Sequence, residues 1–265
     1  MSADLNIVWV DMLGRLIHSG FEVSPRNKPT LELPQATIAI DMRRPVVVNR
    51  MRKLNYQFMA AEAYWIISGD DSVAGIAPWN SHIADFSDDG KKFFGAYGPK
   101  VKAQLQYVVA KLKKDPDTRQ AGLTLWRENP PETKDYPCTI ALWFMIRGGL
   151  LNCHSFMRSN DVWLGLPYDA FNFSMLSHYI AAHLGNVAPG TLYHTAASLH
   201  LYEPQWDAAR TLLKEHRNHV MRYGYDVQAP TPEYLWSTPE ICLDWMMMLR
   251  TSRPGSEARW WEKVE

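Results

Sequence analysis

The sequence predicts an α+β domain, on three observations. Strand-like segments at 31–48, 120–127, 138–158 and 191–202 are grouped, not spaced as a regular βαβ repeat would space them. Helical segments stand on either side of the later strand group. No Pro-, Gly- or Ser-rich linker divides the 265 residues, so one domain over 1–265 is expected.

Each element has its own signal. Residues 4–19 carry Leu5, Val8, Met12, Leu13 and Leu16 at helical spacing, with Gly20 as a stop. Residues 31–48 alternate and are rich in Thr, Ile and Val, which predicts strand. Residues 50–68 read as a long buried helix ending at Gly69. The Gly, Asp, Ser and Pro of 70–96 predict a functional or mobile loop region. An amphipathic helix over 99–114 (Val101, Leu105, Val108, Val109, Leu112) stops before Pro116. Residues 120–127 and 138–158 are strand-like, and Gly148-Gly149 between two apolar runs signals a hairpin. A largely apolar helix follows over 168–184 and a strand over 191–202. Helices are expected over 203–215, begun by Glu203-Pro204, and over 238–250.

Composition excludes several classes. Lys plus Arg, 28, equals Asp plus Glu, 28, so no chain-wide field attracts DNA or an anionic membrane, and nucleic acid is not the expected partner. An anionic substrate would need a local arginine cluster. The start, Met1-Ser2-Ala3-Asp4, lacks the basic and apolar regions of a signal peptide, and no apolar run is long enough to span a bilayer. A cytoplasmic protein is expected, in the host cytoplasm if the gene is a phage's. Cys138, Cys153 and Cys242 are an odd count without CxxC spacing, and no HExxH occurs, so neither a disulfide framework nor a metal site is expected.

One constellation carries chemistry. Cys138 follows Tyr136-Pro137 at the mouth of an apolar strand. Alone, such a cysteine is more often a small buried hydrophobe. A hairpin at Gly148-Gly149, however, would return Arg158 beside it, and a guanidinium near a thiol lowers the thiol's pKa. Glu62 stands among Phe58, Met59, Tyr64 and Trp65, where a carboxylate is costly unless it has a task.

Pro137-Cys138, Arg158-Ser159-x-Asp161, Leu164-Gly165-Leu166-Pro167-Tyr168 and His200-Leu201-Tyr202 together resemble the signature of thymidylate synthases and their nucleotide hydroxymethylase relatives. Glu62-x-x-Trp65 with Ser68-Gly69-Asp70, then Trp79, Tyr97-Gly98 and Pro116-Asp117-Thr118-Arg119, agree in order. The resemblance covers roughly 20–207 and fades after Asp207. It implies a mixed sheet packed with helices, a homodimer formed through the sheet, and 5,10-methylenetetrahydrofolate as one-carbon donor. It assigns Cys138, Glu62, Tyr97 and Asp169 to catalysis, with Cys138 attacking C6 of the base and Glu62 relaying protons through water. Arg26, Arg158 and Ser159 would grip the 5′-phosphate, although Ser24-Pro25-Arg26-Asn27 departs from the usual local pattern. Arg119 would come from the partner subunit, with Gln120 in place of a second arginine, and a site completed in this way requires an isologous dimer. His200 and Tyr202 would hold the sugar hydroxyl, Asp169 and Asn172 would touch the nucleotide, and Trp79, Asp161, Gly165 and Tyr168 would line the folate site.

Three departures from the synthase pattern set the expected reaction. Asp169 replaces the uracil-reading asparagine, as in the phage dCMP hydroxymethylases that it resembles. An ionised carboxylate clashes with uracil O4 but accepts from the cytosine amino group and shares a proton with N3. Thr139 replaces the histidine that usually follows the nucleophile. The chain ends Arg259-Trp260-Trp261-Glu262-Lys263-Val264-Glu265, a charged tail that predicts a wetter lid and capture of water. The expected reaction is hydroxymethylation of dCMP at C5. The alternatives are C5 methylation of dCMP or dUMP, hydroxymethylation of CMP or dUMP, and a nucleotide- or mRNA-binding relative without turnover.

Overall fold

A computed structural model describes residues 2–49, 51–223 and 228–262. Helix α1 (Leu5–Ser19) starts where the Asp4 side chain accepts from the Asn6 backbone N–H at 2.8 Å, satisfying a free donor of the first turn. Leu5, Trp9, Met12, Leu13 and Leu16 form its buried stripe. Strands β1 (Phe21–Val23) and β2 (Thr30–Asp41) flank a 3₁₀ turn, Pro25–Asn27, that carries Arg26. β2 ends at Asp41, short of the expected 48, because Asp41 accepts from the Arg43 backbone and pairs with the Arg43 and Arg44 guanidiniums, which turns the chain out of the sheet. The helix expected over 50–68 starts later, as α2 (Tyr56–Ser68). Asn55 caps it by accepting from the Phe58 N–H at 2.9 Å, and Lys53, at φ 48°, cannot be helical. Gly69 closes it at φ 84°.

The 70–96 region is mostly loop around one helical turn, α3 (Val73–Ile76), and a 3₁₀ turn, Ser81–Phe86. Then come α4 (Gly98–Lys114), β3 (Gly122–Thr124), β4 (Thr139–Arg147), β5 (Leu150–Met157) and β6 (Asn160–Asp161). The strand expected over 120–127 is thus reduced to β3. β4 and β5 form the expected hairpin, and its turn needs Gly148 and Gly149 at φ 60° and 77°. The chain finishes with α5 (Leu166–Leu184), β7 (Ala188–Tyr202), α6 (Trp206–Tyr223) and α7 (Pro239–Leu249). α6 runs past the expected stop at 215, since its largely exposed second half continues the helix on the solvent side.

The sheet order is β1-β2-β7-β5-β4-β3, with β6 also on β7. Neighbours are antiparallel except β5 with β7 and β6 with β7, so the sheet is mixed. α5 is buried nearly all round and rests on β5 and β7, with α1, α2, α4 and α7 against it. Side chains of the central strands alternate between the two faces of the sheet. Leu142, Phe144, Leu151, Cys153 and Leu192 face this core, whereas Trp143, Phe156 and Tyr193 point to the other face and stay part or fully exposed. Among the described residues no helix is long and apolar enough to cross a membrane.

Candidate active site

The β4–β5 hairpin does what the sequence predicts: Thr139 pairs with Met157, and the Arg158 N–H donates to the Cys138 carbonyl at 2.9 Å. The Arg158 guanidinium is fixed by the carbonyls of Pro137 (3.0 Å) and Tyr136 (3.1 Å). That leaves Nη2 at 3.7 Å and the Ser159 hydroxyl at 3.8 Å from the Cys138 sulfur. The expected lowering of the thiol pKa is corrected by the structure. Burial pushes Cys138 up, and Arg158 offsets only part of that.

Arg158 and Ser159 share a cleft with Arg26, His200 and Tyr202, three stretches of chain brought together by β2, β5 and β7. Arg26 is held at φ 53° and Asn27 at φ 58°, a consecutive left-handed pair that costs on the order of 1 kcal/mol per residue. His200 and Tyr202 lie edge to face, 5.0 Å between ring centres. Glu32, opposite His200 in the β2–β7 register, also lines this cleft and accepts from the Ser198 hydroxyl, and Lys134 joins it from the loop before Cys138. Sequence reasoning missed both. Arg119 does not line this cleft; it is exposed, and its carbonyl accepts from the Trp143 indole on the open face of the sheet at 2.9 Å.

Deeper in, two carboxyls lie close enough to interact. Glu62 on α2 accepts from the Asn172 amide of α5 at 2.7 Å, and burial pushes its carboxyl up to about 7. Asp169, in the first turn of α5, is pushed up to about 8, by burial first and by the Glu62 charge second. Its Oδ2 accepts from the Asn160 amide at 2.7 Å. Gly165 leaves room there, since a Cβ would come within 3.1 Å of Asn160 Nδ2 and 3.3 Å of Asp169 Oδ2. The Tyr97 oxygen accepts from both the Thr139 N–H (3.2 Å) and its hydroxyl (2.9 Å), so the phenol keeps its own proton to donate. Burial raises Tyr97 well above the usual phenol range, helped by the nearby Asp169 and Cys138. Thr139, known from sequence only as a departure, therefore anchors Tyr97.

The four residues expected to line a folate site fall in a neighbouring region. Asp161 Oδ1 accepts from the Trp163 and Leu164 N–H groups, while Oδ2 is buried without a partner. The Tyr168 hydroxyl accepts from the Asn55 N–H at 3.2 Å, and the Asn55 amide donates to the Trp79 carbonyl at 3.0 Å. Arg52, absent from the sequence reading, interacts with Asp161 and Tyr168 and stacks on Trp163. The tail expected to be wet is packed as far as it is described. Trp260 and Trp261 are 3% and 2% exposed, and Glu262 is paired with Arg259 at 3.1 Å. Residues 263–265, which carry the rest of that expectation, lie outside the described residues.

A family model described as thymidylate synthase matches residues 8–230. Among curated proteins, the chain is 31% identical over 229 residues to the deoxyuridylate hydroxymethyltransferase of Bacillus phage SP01, covering 77% of this chain and 58% of that protein. It is 30% identical over 205 residues to the deoxyuridylate hydroxymethyltransferase of Pseudomonas phage M6, covering 73% and 58%. The match thus spans less than two thirds of the length of either relative.

Proposed function

The chain belongs to the thymidylate synthase family, and from that membership we propose that it transfers a one-carbon unit to C5 of a cytosine nucleoside monophosphate and captures water there, giving the 5-hydroxymethyl nucleotide. The observation that carries the cytosine assignment is Asp169, half-buried near Cys138, Tyr97 and Glu62 with one oxygen held as an acceptor by Asn160. Cytosine offers this carboxyl an amino donor beside N3, and the pair can share one proton. Water capture is supported by the two relatives, both named hydroxymethyltransferases. A second reading, uracil, is favoured by the deoxyuridylate in those names. It also draws on the raised ionisation of Asp169, since a neutral carboxylic acid can donate to O4 and accept from N3–H.

In this mechanism Arg26, Arg158 and Ser159 bind the phosphate, and His200 with Tyr202 holds the sugar hydroxyl. Cys138, as thiolate beside Arg158, adds to C6 and makes C5 nucleophilic. Glu62 moves protons near the base through water, and its carboxyl at about 7 holds or releases one near neutrality. The donor fitting the folate region is 5,10-methylenetetrahydrofolate, which when bound supplies the one-carbon unit. Asp161 Oδ2, buried and unpartnered, suits an amino-substituted heterocycle, and Trp79, Gly165 and Tyr168 would frame it.

Mass spectrometry of products from dCMP, CMP and dUMP with methylenetetrahydrofolate tests this reading. The expected outcome is a 5-hydroxymethyl product, formed faster from dCMP than from dUMP. In Asp169→Asn the amide can serve N3–H and O4 together, so relative specificity should move toward dUMP by about ten- to a hundredfold, roughly 1–3 kcal/mol. A wild type that prefers dUMP overturns the base assignment. An unchanged ratio in the Asn variant removes Asp169 from base reading.

The same reading takes 1–265 as one catalytic domain working as a homodimer. α7 lies beyond the matched segment yet packs on α2 and α5, which supports one domain. The open sheet face exposes Phe156 and Tyr193 beside half-buried Trp143, an apolar surface suited to a second copy, and Arg119 sits at that face. Mixing Arg119→Ala with Cys138→Ser subunits should restore activity, because one of the heterodimer's two sites keeps both residues. No restoration, or a monomer by light scattering, counts against the shared site.

A further inference from the structure

A buried chain of hydrogen bonds ends on Asp169. Ser155 of β5 and His194 of β7 are register partners, and the Ser155 hydroxyl lies 2.8 Å from His194 Nδ1. His194 Nε2 lies 3.1 Å from Asn160 Oδ1, and Asn160 Nδ2 donates to Asp169 Oδ2 at 2.7 Å. Ser155, His194 and Asn160 are at most 3% exposed. The polarity follows link by link. Asn160 Oδ1 can only accept, so His194 carries its proton on Nε2. Nδ1 is then a lone pair, and Ser155 must donate to it. Burial pushes His194 down to about 4, so the ring is neutral and has one N–H to give. The opposite polarity would leave the Ser155 proton inside the core with no other partner among the described residues. Every link therefore donates toward Asp169.

We propose that Asn160, backed by His194 and Ser155, is a positioning residue for base selection: it fixes Asp169 Oδ2 as an acceptor, so that any proton on the carboxyl resides on Oδ1. This rests on the reading that Asp169 faces the base. A free carboxyl can place its proton on either oxygen and so complement cytosine or uracil. A carboxyl with one oxygen committed presents a single donor and acceptor order. In the cytosine reading, Oδ2 meets the amino group and Oδ1 shares the proton with N3. Oδ2 has a second lone pair, so it accepts from Asn160 and the amino group together. Asn160 does not touch the substrate; it acts through Asp169.

The test measures kcat/KM for dCMP and dUMP in wild type, Asn160→Ala, Asn160→Ser, His194→Phe and Asp169→Asn. Asn160→Ala should shrink whichever base preference the wild type shows by on the order of tenfold, one hydrogen bond's worth. His194→Phe, which keeps an aromatic ring but loses the Nε2 donor, should move the ratio the same way by less. Asn160→Ser keeps a hydroxyl donor and should recover part of the preference, and it serves in place of the Ala variant if that protein does not fold. A merely structural role lowers both specificity constants by one factor and leaves their ratio alone. If Asp169→Asn moves the ratio while the Asn160 and His194 variants do not, the positioning inference is overturned and the base reading stands. If Asp169→Asn does not move it, the base reading fails and the inference fails with it.

Discussion

Cys138→Ser is expected to cut turnover on every pyrimidine nucleotide by at least about a thousandfold, roughly 4 kcal/mol of transition-state stabilisation. The sulfur sits 3.7 Å from an Arg158 guanidinium that is itself tied to two backbone carbonyls, so a cation waits where a thiolate would form. Burial keeps the thiol protonated in the free protein, and the cation lowers the cost of ionising it. A serine hydroxyl in the same place gains the same cation but ionises far less readily and is a much poorer nucleophile near neutral pH. Nucleotide affinity, measured by equilibrium titration, should change little, because Arg26, Arg158, Ser159, His200 and Tyr202 are untouched. The other two cysteines provide the control. Cys153 and Cys242 are buried with thiols pushed up to about 12, so a thiol-alkylating reagent should label Cys138 first and nucleotide should protect it. Substantial turnover in the Ser variant would remove Cys138 from the chemistry.

What was legible in the sequence was local. The hairpin that joins Cys138 to Arg158 follows from two glycines between apolar runs, and both take the left-handed backbone that the turn needs. Glu62 was legible because a carboxylate amid aromatic residues needs a reason to be there. The net direction of the Cys138 shift was not, since a neighbouring arginine can be read from a hairpin but the depth of burial cannot. Thr139 and Tyr97 are 42 positions apart, and His194 and Asn160 are 34 apart. No periodicity connects such residues; the parallel pairing of β5 and β6 with β7 brings Asn160 to His194, and the packing of α4 against β4 brings Tyr97 to Thr139. Asn160 was an unmarked letter between Ser159 and Asp161 because its role depends on a histidine that arrives two elements later. The start of α2 was misread for a different reason. An apolar run over 50–68 looks continuous, but one asparagine cap at Asn55 and the left-handed Lys53 decide where the helix begins.

Glu62→Gln should lower kcat by about a hundred- to ten-thousandfold, the range for losing a positioned acid–base group, with little change in KM. The variant is nearly isosteric and can still meet Asn172, so the fold should hold. What it loses is the ability to change protonation near neutrality, which burial gives Glu62 by raising its carboxyl to about 7. The same substitution has a second effect with a definite sign. A negative Glu62 disfavours ionisation of Asp169, so a neutral glutamine allows Asp169 to ionise at lower pH than in the wild type. The wild-type pH–rate profile should carry a limb between about pH 7 and 8, belonging to the two carboxyls as a coupled pair. In the Gln variant that limb should move to lower pH and become a single ionisation. Carboxyl-region infrared difference titration reads the Asp169 step without depending on turnover, with Asp169→Asn to identify its band. A Gln variant with kcat within about threefold of wild type and an unmoved pH profile would show that Glu62 neither relays protons nor senses Asp169.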